Sequence, residues 1–243
     1  MGISPFALEK LIDTINSGLL KPEEKSVLQL GKQLVSNQSA CNEILRKFNL
    51  PYFPNPGSTM GDIELFKFLG FESVSSLDAS AYEGADYIHD MNMPVSRGMR
   101  EKWDVIFDGG TLEHVFDVKQ SLENIHSMLR TNGVIIHVSP SNNHVDHGFY
   151  QFSPTLFFDF YSVNAWEILE AFLFEYHRDH DKVPWKWYKY KPGVLDSISF
   201  GGLNSSLFGC WFVAKKSAES RSDVVPQQGT YKRSHGWLKT QAN

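Results

Sequence analysis

Apolar and polar positions divide the chain into alternating helical and extended runs. Between Ser4 and Gly18, Leu8, Leu11, Ile12 and Ile15, continued by Leu19, keep the three-to-four spacing of one helical face. Ser4 can cap this helix, Pro5 suits its first turn and Gly18 can close it. Because it precedes the first strand, it is expected outside the sheet as a lid or brace. The run "VLQL", Val27 to Leu30, reads as a buried strand that stops at Gly31. "NLPYFPNPGST", rich in proline, reads as loop. "GDIELFKFLGF" predicts a short helix with Ile63, Phe66 and Leu69 inward and Gly70 at its end. Three strands follow: "SVSSLDAS" ending at Asp78, "ADYIHDMNMP" ending near Asp90, and "WDVIFDGG" ending at Asp108 before Gly109 and Gly110.

"FDVKQSLENIHSMLRTNG" carries the clearest helical pattern. Asp117 with Gln120 resembles a capping box, Leu122, Ile125, Met128 and Leu129 form the stripe, and Asn132-Gly133 are expected to stop it. "VIIHVSP" follows as a buried strand. "AWEILEAFLFEYH" reads as a helix end mixed with a strand, and "LFGCWFVAKK" as the last strand. Strands that alternate with helices and are apolar on both faces predict an α/β protein with a helix-covered parallel sheet. The stretch 181–206 before the last strand fits an edge strand, a lid or a contact surface. Its "WKWYKYK" could stack bases, but it reads more simply as an amphipathic strand.

Composition narrows the class. The 243 residues are 42% hydrophobic and 21% charged, ordinary for one globular domain, expected over 1–216 with a tail at 217–243. No apolar run approaches the roughly 18 residues of a membrane span, and no secretion signal opens the sequence. Cys41 and Cys210 lack metal or redox spacing, so a cytoplasmic setting is expected. A net charge of −5 argues against nucleic acid as the partner. The tail from Lys215 onward is locally basic, and reads as a solvated tail or a docking arm.

The strand ends carry the chemistry. Ligands of doubly wound sheets sit outside the carboxyl ends of the strands. Gly31 lets a ligand approach the backbone closely. Asp78 can accept both hydroxyls of a ribose, and Asp90 an adenine amino group, with Ala79 and Met91 beside them. Asp108-Gly109 ends the next strand. Neither a G-x-G-x-x-G turn nor a phosphate loop is present, so nothing cradles a pyrophosphate and a nicotinamide cofactor is disfavoured. An adenosine ligand without phosphates remains, and S-adenosylmethionine is the common one.

Three segments, "SVSSLDASAYEGADYIHDMN", "FDGGTLEHVFD" and "LRTNGVIIHVSPSNNHVDHGFYQFSP", together resemble a group of bacterial class I S-adenosylmethionine-dependent methyltransferases. The matching points are Gly31, Asp78, Leu112-Glu113-His114-Val115 and Asn132-Gly133. "DHGFYQFSP" is similar to a "GHGFYQFSP"-like segment of one subgroup. The resemblance covers roughly Ser26 to Trp166. It implies a Rossmann-like fold with a mostly parallel, seven-stranded sheet flanked by helices, an N-terminal helical extension over 1–25 and an insertion over 36–60 beside the cofactor. The departures are Gln33 and Val35 where the class has glycines, and Gln29 where it has an acid. Lys32 or Gln33 is then expected to replace backbone amides toward the cofactor, with Glu113 and His114 lining its pocket.

Methyl transfer needs alignment and water exclusion, and a hydroxyl acceptor adds a general base. His147 is the candidate base, Tyr150 the group that orients the acceptor, and His114 a further catalytic candidate. His126 reads as packing or surface, and His137, inside a strand, as a satisfied core residue. His144, Asp146, His147 and Glu113 can be read as ligands of a divalent ion, but two histidines three apart on a loop are weak evidence, and no metal is expected. The activity expected is O-methylation of a small molecule or glycan precursor, with a homodimer as the one assembly entertained. The rival is a non-catalytic binding or assembly protein on the same fold, motivated by the lone glycine after the first strand.

Overall fold

The computed structural model describes residues 2–23, 25–53, 61–179, 181–199 and 201–229. Eight strands form one sheet: β1 (Ser26–Leu30), β2 (Ser73–Asp78), β3 (Tyr87–Ile88), β4 (Trp103–Asp108), β5 (Leu129–Asn142), β6 (Glu167–Tyr176), β7 (Lys186–Lys189) and β8 (Leu207–Lys215). Their order is β3-β2-β1-β4-β5-β8-β6-β7. The first five in that order are parallel. β8 is wedged antiparallel between β5 and β6, and β7 pairs antiparallel on the outer edge. The eighth strand, absent from the sequence expectation of seven, is β7: of the 181–206 stretch, Lys186–Lys189 form an edge strand and Asp196–Ser199 a short helix. Within β7, Trp187 packs toward one face of the sheet and Tyr188 toward the other.

Helices cover both faces. α1 (Pro5–Asn16), α2 (Gln38–Lys47) and α3 (Asp62–Phe68) lie on one side, and α4 (Val118–Met128) and α5 (Pro154–Val163) on the other. Alternation along β1 sends Leu28 and Leu30 toward Ile125 and Phe157, and Val27 toward Leu8, Leu45 and Phe66. Two covered faces are why the central strands read as unbroken apolar runs. Each large side chain so buried contributes roughly 1.5–3 kcal/mol. α1 forms where its caps place it: Ser4 Oγ accepts from Ala7 N at 3.2 Å, and Gly18 takes φ +79° after the last turn. With Leu8, Leu11 and Ile12 fully buried, α1 is a brace of the core rather than a lid.

Four sequence expectations change. α4 stops at Met128, not at Asn132-Gly133, because Leu129 already pairs with Trp103 of β4. "AWEILEAFLFEYH" holds no helix end; Glu167–Tyr176 is a single strand between β8 and β7. The third strand shrinks to Tyr87–Ile88. The tail is no solvated arm over 217–229. Asn164 holds it through Arg221 N and both backbone groups of Val224, and Trp166 Nε1 donates to Arg221 O. Residues 230–243, and 54–60 of the 36–60 insertion, lie outside the described residues; the insertion also contains α2. No helix among the described residues is long and apolar enough to cross a membrane.

Candidate functional site

Strand order reverses between β1 and β4, and there the carboxyl ends of β1 to β4 open on a cleft of about 580 Å³. Gly31, Lys32 and Gln33 form its β1 wall, Asp78 and Ala79 its β2 wall, and Asp90, Met91 and Asn92 its β3 wall. Gly109, Gly110, Thr111 and His114 follow from β4. The sequence therefore placed Gly31, Lys32, Gln33, Asp78, Ala79, Asp90, Met91, Gly109 and His114 on one cavity.

Gly31 sits at φ +69°, where a side chain is strained, and a Cβ there would lie 2.9 Å from Thr111 Oγ1. Thr111 is the group sequence reasoning missed. Its hydroxyl donates to Leu30 O at 2.6 Å and ties the end of β1 to the turn after β4. Its place directly behind Gly109-Gly110 was the available signal. Gln33 is buried, donates from Nε2 to Leu30 O at 3.0 Å, and lies against Gly109 so closely that a Cβ there would meet its Oε1 at 2.2 Å. It fills space that a glycine at 33 would leave open. α2 begins only at Gln38, behind Asn37 in the left-handed region, so its N-terminus does not follow directly on Gly31.

The two carboxylates are differently occupied. Asp78 Oδ1 accepts from Ser80 N at 2.9 Å, which leaves Oδ2 for a ligand. Asp90 Oδ1 accepts from both the backbone and side-chain nitrogens of Asn92, at 2.9 and 2.7 Å. Those bonds, the backbone one foremost, hold its carboxyl below the usual range, so it stays an acceptor.

Two expected cofactor contacts do not reach the cleft. Asp108 is 0% exposed: Oδ2 pairs with His137 Nδ1 at 2.7 Å, and Oδ1 accepts from Thr111 N and Leu112 N. It shapes the turn and satisfies a core histidine, whose Nε2 meets Tyr161 OH at 2.7 Å. Glu113 is also 0% exposed, because the 3-10 turn Leu112–His114 swings it inward while presenting His114 to the cleft. Among the described residues neither Glu113 oxygen has a hydrogen-bond partner. Burial, then the charge of Asp108, pushes its carboxyl up to about 7.

Around Glu113 stand two imidazoles. Oε1 is 3.9 Å from His114 Nε2 and 3.6 Å from His147 Nε2, and the histidine side chains are 48% and 39% exposed. Burial lowers both, and for His114 the neighbouring His147 lowers it further, which favours the neutral imidazoles. Backbone bonds fix the pair: Phe149 N and Tyr150 N donate to Glu113 O at 2.8 and 3.2 Å. Gly148 permits this close approach, since a Cβ there would lie 2.8 Å from Glu113 O. His147 stands behind His114 rather than on the cleft wall. Tyr150 is not with them. Its hydroxyl donates to Phe116 O at 2.7 Å, and its ring lines a separate apolar groove with Leu156 and Phe160.

No family model and no curated protein sequence matches the chain. Solved structures do. The YcgJ protein of Bacillus subtilis is 13% identical, with a TM-score of 0.46 over 86% of this chain and 97% of that one. A candidate methyltransferase of Bacillus halodurans is 10% identical, with a TM-score of 0.49 over 85% and 99%. A SAM-dependent methyltransferase of Archaeoglobus fulgidus is 12% identical, with a TM-score of 0.41 over 86% and 94%. At such identities and scores they carry no argument about chemistry. The strand order does carry the fold: five parallel strands reversing at β1/β4, then an antiparallel strand wedged beside the fifth, make this a Rossmann-like, doubly wound α/β fold.

Proposed function

We propose that the chain is an S-adenosylmethionine-dependent methyltransferase acting on a hydroxyl of a small molecule or glycan precursor. One observation carries this reading: Asp78 at the end of β2 and Asp90 just beyond the adjacent β3 line one switch-point cleft, and the sequence offers it no phosphate-cradling glycine turn. Asp78 would hold the ribose hydroxyls and Asp90 the adenine amino group, with Met91 beside the ring. Gly31 gives backbone access to the rest of the donor, and exposed Lys32 would meet its carboxylate. The donor, when bound, supplies an electrophilic methyl group. The acceptor's proton would go to the imidazole of His114, the one of the pair that lines the cleft, with His147 behind it. Two buried free cysteines, Cys41 and Cys210, support a reducing, cytoplasmic setting.

A second reading, a protein of this fold that binds no methyl donor, is favoured by Gln33 alone, since its amide occupies room between Gly31 and Gly109. Calorimetric titration with S-adenosylhomocysteine separates the two. The first reading expects saturable binding that Asp78→Ala weakens about 5- to 150-fold, the equivalent of 1–3 kcal/mol for a lost polar contact. No heat at millimolar ligand would leave the second, and binding unchanged by Asp78→Ala would remove the role given to that carboxylate.

A further inference from the structure

We propose that Glu113, His114 and His147 form a binding site for one divalent transition-metal ion. The binding stands independently of the methyl-transfer reading; only its consequence for the acceptor rests on that reading. Geometry comes first. The three ligand atoms, one from each residue, all lie within 4.8 Å of one another. Oxygen and nitrogen ligands at about 2.1 Å in a tetrahedral site are about 3.4 Å apart. The separations of 3.6 and 3.9 Å from Glu113 to the two imidazoles are close to that, and the imidazoles, both partly exposed, are free to close the remainder by rotation.

Glu113 supplies the second, independent observation. A buried carboxylate is ordinarily hydrogen-bonded, paired with a cation or bound to a metal. Among the described residues this one accepts no hydrogen bond, and the only basic groups within ion-pair distance are the two imidazoles. A metal ion would satisfy it. The frame is rigid as well: the backbone staple across Gly148 locks the His147 loop onto the turn that carries Glu113 and His114.

Ligand chemistry selects the ion. Two imidazoles with one carboxylate suit zinc, iron, cobalt or manganese rather than magnesium or calcium, which prefer all-oxygen sites. Three protein ligands leave at least one position open, and His114 lines the cleft, so that position is accessible to an acceptor oxygen. A hydroxyl bound there gives up its proton to solvent at lower pH, so the ion takes over the task of a bare imidazole base.

The test uses the full chain stripped with chelator, in the absence of methyl donor, titrated with zinc by calorimetry and with cobalt by visible absorption. One ion per chain is expected, with the absorption bands of cobalt bound to nitrogen and oxygen. Glu113→Gln keeps the side-chain shape and should weaken zinc about 100-fold or more, since even outer partners of a ligand cost 10- to 100-fold. His147→Ala, on an exposed loop, should do the same, and His177→Ala should not. Absence of stoichiometric binding, or binding indifferent to Glu113→Gln and His147→Ala, overturns the proposal. Asp78→Ala keeps the two readings apart, because it should weaken S-adenosylhomocysteine while leaving zinc affinity unchanged.

Discussion

Glu113 is the residue on which burial and charge conflict most. Its carboxyl is pushed up to about 7 in the folded protein, from 4.5 when free, by burial first and Asp108 second. Between those values the folded chain keeps a proton that the unfolded chain has lost. The associated stability is complete below about pH 4.5 and is lost as pH rises through 7. In metal-free protein, Glu113→Gln should therefore change little at pH 4.5 and stabilise by about 1–3 kcal/mol at pH 8. Thermal unfolding at the two values reads the difference, and an equal shift at both would contradict it. Added zinc should stabilise the parent at pH 8 and not the variant, reversing their order. The same residue shows where a sequence stops being informative. Asp78, Asp90, Asp108 and Glu113 are all acids just beyond strands, yet two face the cleft and two face the core. The direction is set by turn geometry: Asp108 bends back onto the turn amides, and the 3-10 turn rotates Glu113 inward.

The loop after β5 determines how the two imidazoles meet. His114 and His147 belong to segments distant in sequence, and no spacing rule joins them; backbone bonds from Phe149 and Tyr150 to Glu113 O do. Gly148→Ala would put a Cβ 2.8 Å from that backbone oxygen, where nothing flexible can yield. The expected cost is about 1–3 kcal/mol, the range for forcing extra atoms into a packed site. Amide exchange at Phe149 and Tyr150 should quicken with it, and unchanged exchange would show that the staple is not what holds the loop. Elements with strong periodicity or caps were legible: β1, β2, β4, β8 and both ends of α1 stand where the pattern put them, and β5 contains the expected run 134–140 but starts earlier, at Leu129. α5 was not, because "PTLFFDFYSV" is rich in aromatic residues that favour strands and buries Phe157, Phe160 and Tyr161 without a polar stripe. α2 was hidden by the polar "QSACNEILRK", of which only Cys41, Asn42 and Leu45 are buried.

Across the whole molecule, the antiparallel half of the sheet is closed by the chain that leaves it. After β8 the backbone returns over the start of β6 and the end of α5 as a strap, residues 217–229. Asn164 is its anchor and is fully buried. Its Nδ2 donates to Phe160 O and Val224 O, both at 3.0 Å, and its Oδ1 accepts from Val224 N at 3.0 Å. His126 adds a bond to Ser220 O from α4, and Asp159 accepts from Gly229 N, so three helix or helix-end positions hold one segment. Its attachment is polar, which is why hydrophobic periodicity gave no sign of it and composition made it look like a solvated tail. Asn164→Ala removes both sides of the Val224 pairing at once. Stability should fall by about 1–3 kcal/mol, the cost of leaving buried polar groups unpaired. The loss should be local: proteolysis would cut first within 217–229, and exchange at Val224 and Arg221 would rise while the β1 and β4 amides stay protected. The cleft lies at the other half of the sheet, so S-adenosylhomocysteine affinity should be retained. Cleavage spread evenly along the variant chain would mean that the strap is part of the global fold rather than a clasp upon it.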